Sequence, residues 1–403
     1  MTTEKVLEAL SNVQEPDLGK DIVTLNMVKD IQIEGNYVSF TVVLTTPACP
    51  MKDMIKNACI NAIRLLINKE ATVNVRFTSH TSTKRKEGDS LLPRVKNIIA
   101  VVSGKGGVGK STVAANFALA LSAGGASVGL MDADIYGPSV PIMFGVRGER
   151  PKMMAGGEGG KGLIVPLEKY GIKLMSIGLL VDEKSAVVWR GPMASSAIRQ
   201  FVTDVYWDEL DYLVIDMPPG TGDIHLTLMQ IVPVTGVIVV TTPQDVALAD
   251  AKKGIAMFGQ AQLKVPVIGL VENMSYFIPP HAAGGGATGS GTTGGSGATG
   301  GSGTTDNRYY IFGKDGGKKL AEEYDIPFLG QIPLVQGIRE GGDTGVPAMV
   351  GDDPATRKAF LEFAGSAVRS IAMLNANIGV ARVTERIEGY ERDRARDEAL
   401  TKF

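Results

Sequence analysis

The chain has 403 residues, 44% of them hydrophobic, with 41 basic and 43 acidic side chains and a formal charge of −2. It is long enough for two or three domains with sizeable cores, and its charge balance excludes a dedicated nucleic-acid binder, which is usually basic. No apolar run approaches the ~20 residues of a membrane span, the start MTTEKVLEAL lacks a signal pattern, and two cysteines are too few for a disulfide framework, so a reduced, cytoplasmic protein is expected.

Residues 1–80 predict a small α+β domain. Val6, Leu7 and Leu10 recur at helical spacing within Thr3 to Val13. Met27 to Ile33 and Tyr37 to Leu44 read as strands about a Glu34-Gly35-Asn36 turn. Met51 to Asn68 reads as a helix with Ile55, Cys59, Ala62 and Leu66 on one face, and Ala71 to Phe77 as a last strand. Between the second strand and the helix lies Thr45-Thr46-Pro47-Ala48-Cys49-Pro50. Pro50 suits the first helical position, which makes Cys49 the N-cap. A thiol there feels the helix dipole, so its pKa should fall and its reactivity rise; a small buried cysteine in a tight turn fits the same residues. Cys59, on the apolar face, reads as core. Residues 81–94 are polar and read as an interdomain linker, with Lys84, Arg85 and Lys86 as solvated charge.

Residues 95–381 alternate strands and helices, the signature of a mostly parallel sheet with helices on both faces. Ile98, Ile99, Val101 and Val102 form a buried strand that runs into Gly104 to Ser111, GKGGVGKS. This fits the phosphate-loop pattern G-x-x-x-x-G-K-[ST], and the helical stretch from Thr112 supplies the context that the pattern needs. Glycines let backbone N–H groups approach phosphates, and the helix N-terminus adds partial positive charge. The loop Gly104, Lys105, Gly106, Gly107, Val108, Gly109, Lys110, Ser111 and Thr112 is the candidate ATP site. Lys110 is expected to reach the β- and γ-phosphates, and the Ser111 hydroxyl to ligate Mg²⁺.

A second strand, Ser127 to Met131, delivers Asp132 and Asp134 to the carboxyl edge of the sheet, where open sheets place ligands. Asp134 is the candidate for polarising the attacking water. Arg147 to Leu163 reads as a surface loop. Tyr212 to Ile215 ends in Asp216, the expected holder of Mg²⁺ through water opposite Ser111. Val237 to Thr242 and Val265 to Val271 are further buried strands. His225 reads as structural, and His80 and His281 are too isolated for a metal site. Ala282 to Thr305 contains only Ala, Gly, Ser and Thr and reads as a flexible insertion. Residues 382–403 are charged in both signs and read as a solvated helical tail without a membrane face.

Lys105, directly after the first glycine, makes this loop similar to the deviant phosphate loops of the MinD, ParA, nitrogenase iron-protein and Mrp ATPases. In that group the extra lysine crosses to a partner's nucleotide, so the resemblance implies a homodimer in which Lys105 is catalytic with Lys110, Asp134 and Asp216. It also implies that Asn273, at a strand end, reads adenine. Asp132 to Ser139, Val188 to Met193, Asp216 to Asp223, Glu272 to Phe277, Ile311-Phe312-Gly313 and Phe328 to Leu334 resemble the Mrp-type iron–sulfur cluster carriers. Glu15 to Val23 and Thr45 to Pro50 resemble the small domain of iron–sulfur assembly factors, in which the cysteine matching Cys49 is the suspected functional residue.

The implied fold is a P-loop NTPase of MinD/ParA type, α/β, behind a small α+β domain. The implied activity is Mg²⁺-dependent ATP hydrolysis coupled to assembly and transfer of a [4Fe–4S] or [2Fe–2S] cluster. Cys49 is then the candidate ligand, the partners are iron–sulfur apoproteins and assembly factors, and no nucleic acid or membrane is involved. One departure stands out. Pro279 and Ala282 occupy the positions of the family's Cys-x-x-Cys pair, and neither can ligate iron. A nucleotide-switched adaptor, or a MinD/ParA-like ATPase without a cluster, is the alternative. A reductase like the nitrogenase iron protein would need cysteines in the ATPase domain, which has none.

Overall fold

The computed structural model describes residues 1–84, 91–155, 162–181, 191–260, 263–279 and 308–376. The N-terminal unit comprises α1 (Thr3–Leu10), the short pair β1 (Gln14–Glu15) and β2 (Lys20–Asp21), β3 (Val28–Glu34), β4 (Tyr37–Leu44), α2 (Lys52–Leu66) and β5 (Thr72–Ser79). β4 is central, antiparallel to β3 and parallel to β5. Alternation along β4 sends Val38, Phe40, Val42 and Leu44 into one core. Val6 and Leu10 of α1 and Ile55, Cys59 and Ile63 of α2 close that core from above.

The larger unit begins with β6 (Val95–Val102), α3 (Lys110–Ala123), β7 (Val128–Asp132), α4 (Val140–Met143), β8 (Lys152–Met154), β9 (Leu163–Val165), β10 (Leu167–Lys169) and β11 (Ile172–Ser176). It continues with α5 (Gly191–Thr203), β12 (Leu210–Asp216), α6 (Asp223–Ile231), β13 (Gly236–Thr241), α7 (Asp245–Gly259) and β14 (Val267–Glu272). It closes with α8 (Gly316–Glu323), β15 (Phe328–Gln331), α9 (Gln336–Thr344) and α10 (Pro354–Asn375). The main sheet runs β10-β11-β7-β12-β6-β13-β14-β15, parallel except for the antiparallel edge strand β10.

Both faces of β6 are covered, which is why it reads as a continuous apolar run. Ile99 and Val101 join α3 and α10 in one core, whereas Ile98, Ala100 and Val102 join α5, α6 and α7 in the other. The helix α3 is apolar all round because β strands, α10 and α4 surround it. Phe117 of α3 meets Phe363 of α10 with ring centroids 5.2 Å apart. Burying each such ring contributes about 1.5–3 kcal/mol.

Two expectations change. The stretch from Arg147 to Leu163 is not wholly loop, because Lys152–Met154 pairs antiparallel with Leu163–Val165; three-residue strands are too short to show a period-2 pattern. The linker does not leave the N-terminal unit as free chain: Thr81 is buried and donates to Asp211 Oδ1 at 2.6 Å, and Asn97 and Asn375 both donate to the Ser82 carbonyl. The long helix α10 supplies Phe360, Phe363, Ala367, Val368 and Ile371 to the main core. The whole Ala/Gly/Ser/Thr segment from Ala282 to Thr305, His281, Trp189 and the charged C-terminal run lie outside the described residues.

Candidate functional site

β6 sits between β12 and β13, where the strand order turns to opposite sides of the sheet. Such a switch point opens a crevice at the carboxyl ends of the strands. The loop from Ser103 to Gly109 occupies it. Gly109 has φ +83°, in the left-handed region, and a Cβ there would stand 2.2 Å from the Asn273 amide nitrogen. Gly104 is pressed against α7 so closely that a Cβ would meet the Asp250 carbonyl at 2.2 Å. Both positions therefore exclude side chains, the first by conformation as well as by space.

Lys110 opens α3 and is 6% exposed. Its Nζ lies 2.5 Å from Asp216 Oδ1, 3.1 Å from Ser111 Oγ and 4.0 Å from Asp134 Oδ2. Asp216 is fully buried at the end of β12, and its Oδ2 has no partner. In β7, Asp132 pairs in register with Asp216 across the strands. Asp132 is fully buried but well supplied with donors: the Asp134 amide at 3.1 Å, the Val140 amide at 3.3 Å and the Ser176 hydroxyl at 3.0 Å.

Among the described residues one lysine thus faces three carboxylates in this crevice. Burial, then repulsion from Asp216, holds the Asp132 carboxyl well above the usual carboxylate range. Burial also raises Asp134, although Lys110 opposes it. The shortage of positive charge and the orphaned Asp216 oxygen fit a hard divalent cation bound through oxygen and water. Among the described residues no three His, Cys, Asp or Glu side chains converge into a metal cage, as expected where most ligands are waters and phosphate oxygens.

The loop after Asp216 is fastened to the phosphate loop, because the Gly220 amide donates to the Ser103 carbonyl at 2.9 Å. Asn273 is buried at the end of β14, and its amide donates to the Val108 carbonyl at 2.8 Å. Beside it opens a cavity of about 370 Å³, walled by Gly109, Thr112, Asn273, Pro333, Val335 and Arg339. A purine-sized group fits such a volume. Lys105, Gly106 and Gly107 are exposed, and among the described residues no acidic group pairs with Lys105.

The structure gathers Gly104 to Thr112, Asp134, Asp216 and Asn273 in one crevice and leaves Cys49 out of it. Cys49 is not the cap of α2. The helix starts at Lys52 with Met51 as its N-cap, so Cys49 precedes it by three residues. Burial pushes the Cys49 thiol up from its ordinary value, with Asp17 and Glu15 adding to the rise and the Met51 amide opposing it. The expected activation is therefore reversed. Cys59 is core, and burial pushes it up to about 12. His225 is buried in α6, and burial lowers its pKa and keeps it neutral. Reading the sequence missed the Ser176–Asp132 bond and the Tyr212 hydroxyl. A phenol inside an otherwise apolar strand was the available signal for the latter.

Comparison with known proteins adds a family. Residues 94–288 and 301–368 match the family described as NUBPL iron-transfer P-loop NTPase, and residues 3–75 match that of iron–sulfur cluster assembly proteins. Residues 289–300 fall outside the match and inside the Ala/Gly/Ser/Thr segment. The "Iron-sulfur cluster carrier protein" of Synechocystis is 46% identical over 93% of this chain and 99% of its own length. The "Fe-S cluster assembly factor HCF101, chloroplastic" of Arabidopsis thaliana is 40% identical over 94% of this chain and 66% of its own. Among solved structures, the nucleotide-binding protein of Archaeoglobus fulgidus in complex with ADP is 36% identical with a TM-score of 0.51, covering 65% of this chain and 91% of that one.

Proposed function

Because the chain belongs to the iron-transfer P-loop NTPase family, we propose that it is an ATP-hydrolysing iron–sulfur cluster carrier that works as a homodimer in the cytoplasm and hands clusters to apoproteins. The observation that carries the ATPase half is the buried Lys110–Asp216 pair at 2.5 Å beside Ser111 and Asp134. Without phosphate, Asp216 holds the lysine in the crevice. Nucleotide oxygens offer Lys110 a stronger set of acceptors, which frees Asp216 and Ser111 to hold Mg²⁺. When bound, the ion neutralises charge on the β- and γ-phosphates. Asp134 orients and polarises the attacking water, and the amides of the glycine loop take the phosphate oxygens. Asn273 and the adjoining cavity take the adenine. Lys105, exposed and unpaired among the described residues, faces the second subunit.

Asp134→Asn tests this division of roles. ATP binding should stay close to wild type while turnover falls about 100-fold, the scale of a lost general base. Equal loss of affinity and turnover would refute it.

The cluster half is supported by the family and by Cys49. It differs from the family's usual arrangement because Pro279 and Ala282 replace the cysteine pair. Clusters of this kind are held mainly by about four Cys thiolates. A dimer offers two Cys49 thiols and two fully buried Cys59 thiols. Anaerobic reconstitution of the isolated protein with iron and sulfide should therefore give weak visible absorption that Cys49→Ser abolishes. Stoichiometric absorption that survives that substitution would show other ligands.

A further inference from the structure

Cys49 lies at the seam between the two units, on the edge of the main sheet opposite the phosphate loop. The loop from Thr46 to Met51 is anchored there at several points. Tyr212, 1% exposed, donates its hydroxyl to Thr46 Oγ1 at 2.9 Å. Ala48 is pressed against the end of α3: a Cβ on Gly124 would lie 2.6 Å from the Ala48 Cβ. Pro50 packs on α10 at Gly365, where a Cβ would come within 3.1 Å of its ring. The Arg369 guanidinium of α10 donates to Met51 Sδ at 3.2 Å and pairs with Asp17 Oδ1 at 2.5 Å.

The elements that make this seat also make the nucleotide site. α3 carries Lys110 at its first residue and Gly124 at its C-cap. Its 14 residues span about 21 Å at 1.5 Å per residue. β12 carries Tyr212 near its start and Asp216 at its end. The phosphate-binding lysine and the Mg²⁺-side aspartate each stand at one end of a rigid element whose other end holds the cysteine loop.

We propose that the far edge of the ATPase unit is a built seat for the Thr46–Met51 loop, and that nucleotide at the phosphate loop holds that loop down through α3 and β12. This rests on the reading of Gly104 to Thr112 as the nucleotide site. Nucleotide binding restrains α3 and β12 at their far ends and favours the arrangement that the seat complements. The half-buried Cys49 thiol is then shielded while nucleotide is bound and presented when it leaves.

The test is the alkylation rate of Cys49 by iodoacetamide, followed by mass spectrometry, with and without Mg·ADP. Cys59 is fully buried and silent in the folded protein. Calorimetry measures ADP binding in the same samples. ADP should slow Cys49 alkylation about fivefold or more, the lower end for coupled sites. Gly124→Ala adds a methyl for which the Ala48 contact leaves no room, at a residue with ordinary helical backbone angles. It should raise the basal rate and abolish the ADP effect, and by reciprocity should weaken ADP binding by a similar factor. Tyr212→Phe, which keeps the shape and removes the Thr46 bond, should shift all three readouts the same way by less. ADP binding without protection, or with acceleration, overturns the coupling. An unchanged rate in Gly124→Ala overturns the seat. Absence of any binding heat overturns the nucleotide reading, and the coupling with it.

Discussion

The two edges of the main sheet are built on opposite principles. At the carboxyl edge, Lys110 faces Asp132, Asp134 and Asp216 in a crevice where the Asp216 Oδ2 has no partner. At the amino edge, the Thr46–Met51 loop meets Tyr212, Gly124 and Gly365 through one hydroxyl pair and close packing, with a single ion pair at its rim. Buried charge without compensation is costly, and a protein keeps it where a ligand completes it. The seat instead joins two parts of the chain mainly by close packing, although Arg369 Nε at its rim has no hydrogen-bond partner. The contrast separates a site from a seat without reference to any relative.

Lys110→Ala should break the comparison most severely. It removes the one cation that pairs with Asp216 among the described residues and leaves that carboxylate buried, so the nucleotide-free protein should lose about 3 kcal/mol of stability as well as ATP binding. Thermal unfolding with and without Mg·ATP measures both. If stability were unchanged, the carboxylates would be neutral already and the electrostatic picture of that edge would fall.

Lys105→Ala should act more narrowly. The side chain is exposed and unpaired among the described residues, so folding and monomer binding of ATP should be unaffected. Dimerisation with a non-hydrolysable analogue, read by light scattering, and turnover should both be lost. A variant that dimerises and hydrolyses normally would make Lys105 an ordinary solvated lysine.

The smallest effect belongs to the seat. Burial raises the Cys49 thiol above its ordinary 9.0. The folded chain then holds that proton more tightly than the unfolded one, so this group's contribution to stability falls as pH rises above 9.0. The thiolate is the reactive form. Alkylation of native Cys49 should therefore lag that of the unfolded chain at pH 8 and reach half-maximum above pH 9.0. A half-maximum below that would restore the activated cysteine that the TPACP loop suggests from sequence.

That last case shows where local reading stops. Pro50 marks a helix start in any table of preferences, yet α2 begins at Lys52, because the loop is shaped by Tyr212, Gly124 and Arg369 of the other unit. Six residues of sequence do not show how far the other unit buries Cys49, and that burial is what raises its thiol. The short strands β8 and β9 were hidden for a related reason: three residues carry no period.

The nucleotide site was legible because its chemistry is local in sequence. A continuous apolar strand, a glycine loop, a lysine and a hydroxyl within fourteen residues, Ile98 to Ser111, determine backbone curvature, helix direction and charge together. The strands that end in Asp132, Asp216 and Glu272-Asn273 announced themselves by burial on both faces. The sequence by itself thus determined the fold class and the strand, loop and helix of the phosphate-loop motif. Tertiary structure alone decided what the residues do to one another: Lys110 paired with Asp216, Asp132 raised by burial, and the Cys49 loop seated at the far end of the helix that Lys110 opens. Those depend on distances between segments far apart in the chain, which packing sets and no local pattern encodes.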